Sequence, residues 1–202
     1  MEKTGSVVFC GVGGQGIILA SDITSFALIK AGFDVKKSEV HGMAQRGGSV
    51  VAHLRYGKRV HSPFIEPGTA DIEVAFEMLE SLRYIRYLHK ESNVVLNTQK
   101  ILPSSVATGV DTYPEDIVDQ LRSRGLSIFP IDAFDIAKSV GETRAVNMVL
   151  VGALSVFLPV GADVFLDVIN EKVPERFRTV NREAFVKGTK IIRRMQEVEK
   201  KR

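Results

Sequence analysis

Three glycines near the start of the chain, in the order Gly11-x-Gly13-x-x-Gly16, are the first residues whose spacing could do chemistry. Glycines at these steps allow a tight turn and a close approach of backbone to ligand, and a helix starting there points unpaired N–H groups at an anion. The pattern carries meaning only between a strand and a helix. Residues 6–10 are dense in β-branched and aromatic side chains, as in a fully buried strand. After the turn, Leu19, Ala20, Ile23, Phe26 and Ala27 recur at helical steps, and Gly32 suits a left-handed helix end. Gly11, Gly13, Gly14, Gln15 and Gly16 therefore form a candidate anion-binding turn; close strand–helix packing is the other use the same glycines could have. A dinucleotide fold would add an acid about 20 residues further on to hold a ribose. Only Asp34 and Glu39 stand near that distance, and neither is well placed.

A second cluster, Gln45-Arg46-Gly47-Gly48, sets a guanidinium beside two bare backbone amides, a combination suited to phosphate or carboxylate. It follows the extended segment 33–40. That places it next to the first turn, at the carboxyl ends of strands, where open α/β sheets bind ligands. A purely structural arginine in a turn is the alternative. His41, His53, His61 and His89 have no metal-binding or triad spacing, and His41 alone adjoins a glycine loop. Cys10 ends a buried strand and reads as a core side chain, and Asp71, Glu73 and Glu77 read as structural. No catalytic residue and no metal site is expected.

The elements that must position these loops follow from periodicity. Residues 1–40 read as one strand–helix–strand unit with a right-handed crossover. Strands are expected at 49–55, 71–76, 94–96 and 127–131, with a hairpin turn at 56–59 leading into Val60. An amphipathic helix covers 77–89, and Pro114 and Gly125 bracket another over 115–124. Beyond Asp132 only helices are expected. The last of them carries Phe177, Val180, Ala184, Gly188, Ile191, Met195 and Val198 as an apolar stripe, with Lys187, Lys190, Arg193, Arg194 and Lys200 off it. The fold class is α/β, a Rossmann-like, mostly parallel sheet of five or six strands with flanking helices and a helical C-terminal region. Residues 1–202 make a single domain, with a sheet core over 1–131 and a helical extension over 132–202.

Composition bounds the function. Lys and Arg number 27 against 24 Asp and Glu, and the excess of +3 gathers near the C-terminus, so nucleic acid is not implied. A lone cysteine among 202 residues can make neither an internal disulfide nor an iron–sulfur centre. The start of the chain has no long apolar segment, and the most apolar stretch, 148–166, is interrupted by Gly152, Pro159, Gly161 and Asp163. A cytoplasmic protein without a membrane span is expected.

Two motifs in order, Gly11-Val12-Gly13-Gly14-Gln15-Gly16 and Ser38-Glu39-Val40-His41-Gly42-Met43-Ala44-Gln45-Arg46-Gly47-Gly48-Ser49-Val50-Val51, resemble the gamma-domain family of 2-oxoacid:ferredoxin oxidoreductases. Within it, the His-Gly-Met-Ala-Gln-Arg-Gly-Gly form is similar to the small (beta) subunits of the indolepyruvate type. The likeness extends through Thr69-Ala70-Asp71, Asn147 and Val173-Pro174-Glu175-Arg176-Phe177. The resemblance implies a subunit of an enzyme that oxidatively decarboxylates aryl pyruvates to aryl acetyl-CoA while reducing ferredoxin. It implies that thiamine diphosphate and 4Fe–4S clusters sit on a large (alpha) partner subunit, and that this chain binds no cofactor by itself. Coenzyme A is then the co-substrate whose phosphates suit the glycine turn and Arg46, and a homodimer contact is a further possibility. A free-standing NAD(P)-dependent oxidoreductase and a non-catalytic nucleotide-binding interaction module are the competing readings.

Overall fold

A computed structural model of the chain describes residues 4–41 and 48–199. In chain order the elements are β1 (Gly5–Val12), α1 (Ile17–Lys30), β2 (Asp34–His41), β3 (Ser49–Gly57), β4 (Ala70–Ala75), α2 (Met78–Tyr84), β5 (Leu88–Asn97), α3 (Ser104–Ala107), α4 (Ile117–Ser123), β6 (Ser127–Ile131), α5 (Ala133–Ser139), α6 (Val146–Ser155), α7 (Ala162–Lys172) and α8 (Glu175–Glu199). The strands form one sheet in the order β2-β3-β1-β4-β5-β6. Strands β1, β4, β5 and β6 run parallel, while β3 is antiparallel to both of its neighbours.

Alternation along β1 explains the layers. Val7 and Phe9 point into a core covered by α1, α6, α7 and α8, whereas Val8 and Cys10 point into a second core with Met78, Tyr113, Ile117 and Leu121. Both faces are apolar because helices lie on both. The expected strand–helix–strand unit forms, with β2 parallel to β1, but the two strands are not neighbours. Strand β3 folds back from β2 through a short connection and pairs with both, which a local hairpin favours over distant pairing. The hairpin expected at 56–59 leads to no second strand. There β3 runs on to Gly57, and Val60 is held by its N–H donating to Asp34 Oδ2 at 2.7 Å. The helix expected over 77–89 stops at Tyr84, with one 3-10 turn, Ile85–Tyr87, before β5 already contains His89. Helix α4 begins three residues after Pro114 rather than just behind it.

Edge strand β6 contains Pro130. Ile131 turns its carbonyl toward β5, accepting from Thr98 N–H at 2.9 Å, so by the two-residue alternation Pro130 faces the open side. Its missing N–H costs no bond in the ladder. Helix α6 is buried along its entire length, and α8 lies directly on it. The contact is backbone to backbone: a Cβ at Gly188 would stand 2.0 Å from Val149 O, and one at Gly152 2.0 Å from Phe185 O. Thr189 Oγ1 donates to Gly152 O at 3.0 Å across the same seam. Along α8 the buried line is Ala184, Phe185, Gly188 and Ile192, so the expected stripe holds in its middle but frays at the end, where Val198 is half exposed.

Candidate functional site

The carboxyl ends of β1, β4, β5 and β6 lie at one end of the sheet, and the antiparallel β3 starts there too, because Ser49 is opposite Val12. The two glycine loops are therefore neighbours. Gly13 N–H donates to Gly48 O at 2.8 Å, a direct backbone link between the motifs. Gln45, Arg46 and Gly47 lie outside the described residues, as does the side chain of His41.

Gly14 and Gly16 hold the turn with φ of 102° and 78°, a region that L side chains avoid. Gly16 is also crowded: a Cβ there would meet Asn147 Nδ2 at 2.6 Å. Helix α1 starts immediately behind it with no side-chain cap, and Ala20 N–H is the first bonded within the helix, to Gly16 O at 3.0 Å. The amides of Ile17, Ile18 and Leu19 are the ones that an α-helix leaves without intrahelical acceptors. They and the helix dipole make this end of the sheet attractive to an anion.

Gln15 turns inward. Its Oε1 accepts Val12 N–H at 2.7 Å, and its Nε2 donates to Phe76 O at 2.9 Å and to Gln99 Oε1 at 3.2 Å. Asn97 Nδ2 donates to the same Phe76 carbonyl at 2.8 Å, so the ends of β1, β4 and β5 are tied through three amide side chains. The Gln15 side chain thus shapes the turn from behind, and its amide hydrogens are engaged. We expect Gln15→Ala to lower unfolding free energy by about 1–3 kcal/mol, the usual result of stranding buried polar partners. A denaturant titration of both chains checks this. Gln15→Glu, which sets a carboxylate against Phe76 O, should be worse.

Neighbouring carboxylates are held by internal donors. Glu77 caps α2, accepting Glu80 N–H at 3.0 Å, and also accepts Ile101 N–H at 3.0 Å and Tyr113 O–H at 2.5 Å. Burial, then this bond to Glu77, raises the Tyr113 phenol above its ordinary value. Glu80 accepts from Ser49 Oγ and from Arg83 Nε, which anchors the start of β3 under α2. Burial pushes the Cys10 thiol well up, in keeping with a core role. Asp34 lies at the opposite end of the sheet, bonded to Val60 and Lys36, and Glu39 pairs with Lys37. With β3 interposed, β2 brings no acid beside the turn where a ribose would need one.

One feature of the site was not expected from composition or periodicity. Beside the first turn of α1 is a cleft of about 190 Å³, walled by Leu19, Val173, Pro174 and Phe177, with Arg144, Asn147, Lys172 and Asn181 around it. The sequence signal was the run of resemblance through Asn147 and 173–177, whose residues are far apart in the chain and meet here. Among the described residues no group of three or more His, Cys, Asp or Glu is arranged to hold a metal ion, and no helix is long and apolar enough to cross a membrane.

The family model described as pyruvate ferredoxin/flavodoxin oxidoreductase matches residues 6–191. Indolepyruvate oxidoreductase subunit IorB of Archaeoglobus fulgidus is 40% identical over 187 residues, covering 91% of this chain and 92% of that protein. The IorB of Thermococcus kodakarensis is 38% identical over 200 residues, covering 96% and 98%. Among solved structures, a keto/oxoacid ferredoxin oxidoreductase gamma subunit from Geobacter sulfurreducens shares the fold with a TM-score of 0.70 at 23% identity, over 93% of this chain and 98% of that one. A 2-oxoglutarate:ferredoxin oxidoreductase from Magnetococcus marinus, solved with 2-oxoglutarate, coenzyme A and succinyl-CoA bound, contains the same fold with a TM-score of 0.76 at 23% identity. It covers 96% of this chain but 32% of the larger one.

Proposed function

The chain belongs to the pyruvate ferredoxin/flavodoxin oxidoreductase family, and from that premise we propose that it is the small subunit of an indolepyruvate-type 2-oxoacid:ferredoxin oxidoreductase. The observation that carries this reading is the similarity, over more than nine tenths of both sequences, to proteins named as indolepyruvate oxidoreductase subunits. Residues 1–202 form one unit of the gamma type in a cytoplasmic complex. Thiamine diphosphate and the 4Fe–4S clusters belong to the large subunit, and ferredoxin meets the assembled complex. The donor set here does not fit a cluster, which needs several accessible thiolates, whereas Cys10 is the sole cysteine and is fully buried.

The part of this chain in the reaction is to bind and orient coenzyme A. Backbone amides of the turn at Gly14 and Gly16 and the start of α1 face the phosphates, with Gly13 tying the turn to Gly48 and Gln15 bracing it. The segment Gln45, Arg46, Gly47 and Gly48, joined to the turn through the Gly13–Gly48 bond, brings a guanidinium to the same anion. Holding the phosphates away from the reacting carbon lets the thiol end reach into the large subunit while the charge stays on this one.

Co-expression with the large subunit tests the assignment: the two chains should co-purify and together oxidise indolepyruvate in a CoA-dependent way, and neither should do so alone. In that complex Arg46→Ala should raise KM for CoA about tenfold or more, the scale of a lost charge-assisted hydrogen bond, with KM for the 2-oxoacid unchanged. An unchanged KM for CoA removes Arg46 from the site.

A further inference from the structure

The cleft beside α1 is built as a ligand site in its own right. Asn147 is 5% exposed, and its Oδ1 accepts Met148 N–H at 2.9 Å. That bond fixes which way the amide faces, so Nδ2 is the group turned to Gly16 and the cleft. Among the described residues no acceptor bonds this donor, which opens onto the cleft rather than being sealed inside the chain. A side-chain amide held in place by its other end and facing a cleft is a ready donor for a ligand acceptor, with water filling that place otherwise.

What would meet it is defined by the walls. Leu19, Val173, Pro174 and Phe177 make an apolar slot wide enough for a ring system and too small for an entire cofactor. The polar groups at its border are Arg144, Lys172, Asn147 and Asn181 together with one carboxylate, Glu142, whose charge Arg144 offsets. Arg144 lies 5.2 Å from the Phe177 ring and is chelated by Glu142 at 2.7 and 2.9 Å, which leaves its far N–H groups for a ligand. Lys172 stands 3.9 Å from the Phe26 ring centre, at the same border. Asn181 donates to Phe177 O at 2.7 Å and keeps its own Oδ1 as an acceptor. The first-turn amides of α1 add the positive end of a 14-residue helix.

We propose that this cleft binds a planar organic anion, its ring between Leu19 and Phe177 and its negative group on Asn147 Nδ2, Arg144 and the start of α1. The reaction proposed above offers two such anions, the nucleotide end of coenzyme A and the aryl carboxylate of the substrate or product. The choice between them rests on that reading, whereas the site does not.

Calorimetric titration of the full chain with adenosine 3′,5′-bisphosphate, indole-3-acetate and inorganic phosphate tests the proposal. One of the planar anions should bind, with inorganic phosphate at least about tenfold weaker because the slot contributes nothing to it. Asn147→Asp, which sets a carboxylate where the donor stood, should weaken binding about tenfold or more. Arg144→Ala provides the second variant, at an exposed side chain that pairs with Glu142 and lies over the Phe177 ring. Binding of the nucleotide assigns the cleft to coenzyme A, and binding of indole-3-acetate assigns it to the aryl acid. The proposal is overturned if neither planar anion binds, if inorganic phosphate binds equally well, or if both variants bind like the parent. A chain that co-purifies with the large subunit but binds neither probe loses the cleft site alone. One that binds a probe but never assembles keeps the cleft site and loses the proposed function.

Discussion

Alanine in place of Gly188 is expected to destabilise the chain by about 3 kcal/mol or more, at the upper end of what one added methyl costs in a packed interior. The reason is that the methyl would point at backbone. Val149 O would lie 2.0 Å away and Ala153 N 3.1 Å away, and neither can rotate aside as a side-chain end could. The only relief is to push α8 off α6, which would loosen Thr189 from Gly152 and open the face that Phe185 and Ile192 close. For a chain of this size the melting temperature should fall by roughly 10 °C, as read by circular dichroism. An alanine at Gly109, where a Cβ meets nothing within 4 Å but φ is 76°, provides a comparison in which backbone strain acts without a clash. A Gly188→Ala chain that melts with the parent would mean that the two helices are not seated as described.

Glu73 should show the second large effect, in the opposite direction. It is wholly buried in the central strand β4, between Val8 and Val94 in the flanking strands, and neither carboxylate oxygen has a hydrogen-bond partner among the described residues. Burial holds the carboxyl well above its ordinary value of 4.5, so the folded chain keeps it protonated. The sign follows from linkage. Because the unfolded chain releases the proton first, the group's contribution is most favourable below pH 4.5 and declines as pH rises toward the folded value. Neutral pH lies on the declining side of that curve. Glu73→Gln should flatten that part of the stability curve, and Glu73→Met, apolar and of similar length, should be more stable than the parent at neutral pH by on the order of 2 kcal/mol. Urea unfolding at several pH values gives both results. If the parent and Glu73→Gln curves stay parallel from pH 4 to 8, the carboxyl has a partner in solution.

Much of the architecture was legible because it is local. The buried strand before Gly11, the helix after Gly16 and the apolar runs at 71–76 and 127–131 each announce themselves within a few residues, and each became an element close to the expected bounds. Strand order is a different kind of information. Nothing in the alternation of 49–55 tells that β3 enters between β1 and β2, since that depends on which edge is free when the hairpin closes. The same holds within helices. Leu19 and Phe26 share the periodicity of Ala20 and Ala27, yet they face outward at 40% and 38% exposure because α7 and the sheet claim the other side.

At the candidate site, the nearness of the two glycine motifs was readable from their places after strands. The inward turn of Gln15 was not, because its partners Phe76 and Gln99 are 61 and 84 residues away. Arg144 and Lys172 give no periodic signal for the cleft they border. Asn147 gave one through resemblance alone.

The open side of β6 offers a neighbour the amide of Ile128 but none at Pro130. Another polypeptide laid along it would find the ladder interrupted at Pro130, so this border of the molecule resists the templated, fibre-forming growth that bare sheet margins invite. Contact on this side of the protein meets a backbone edge short of one donor, so side chains, whose chemistry can discriminate between partners, carry more of it.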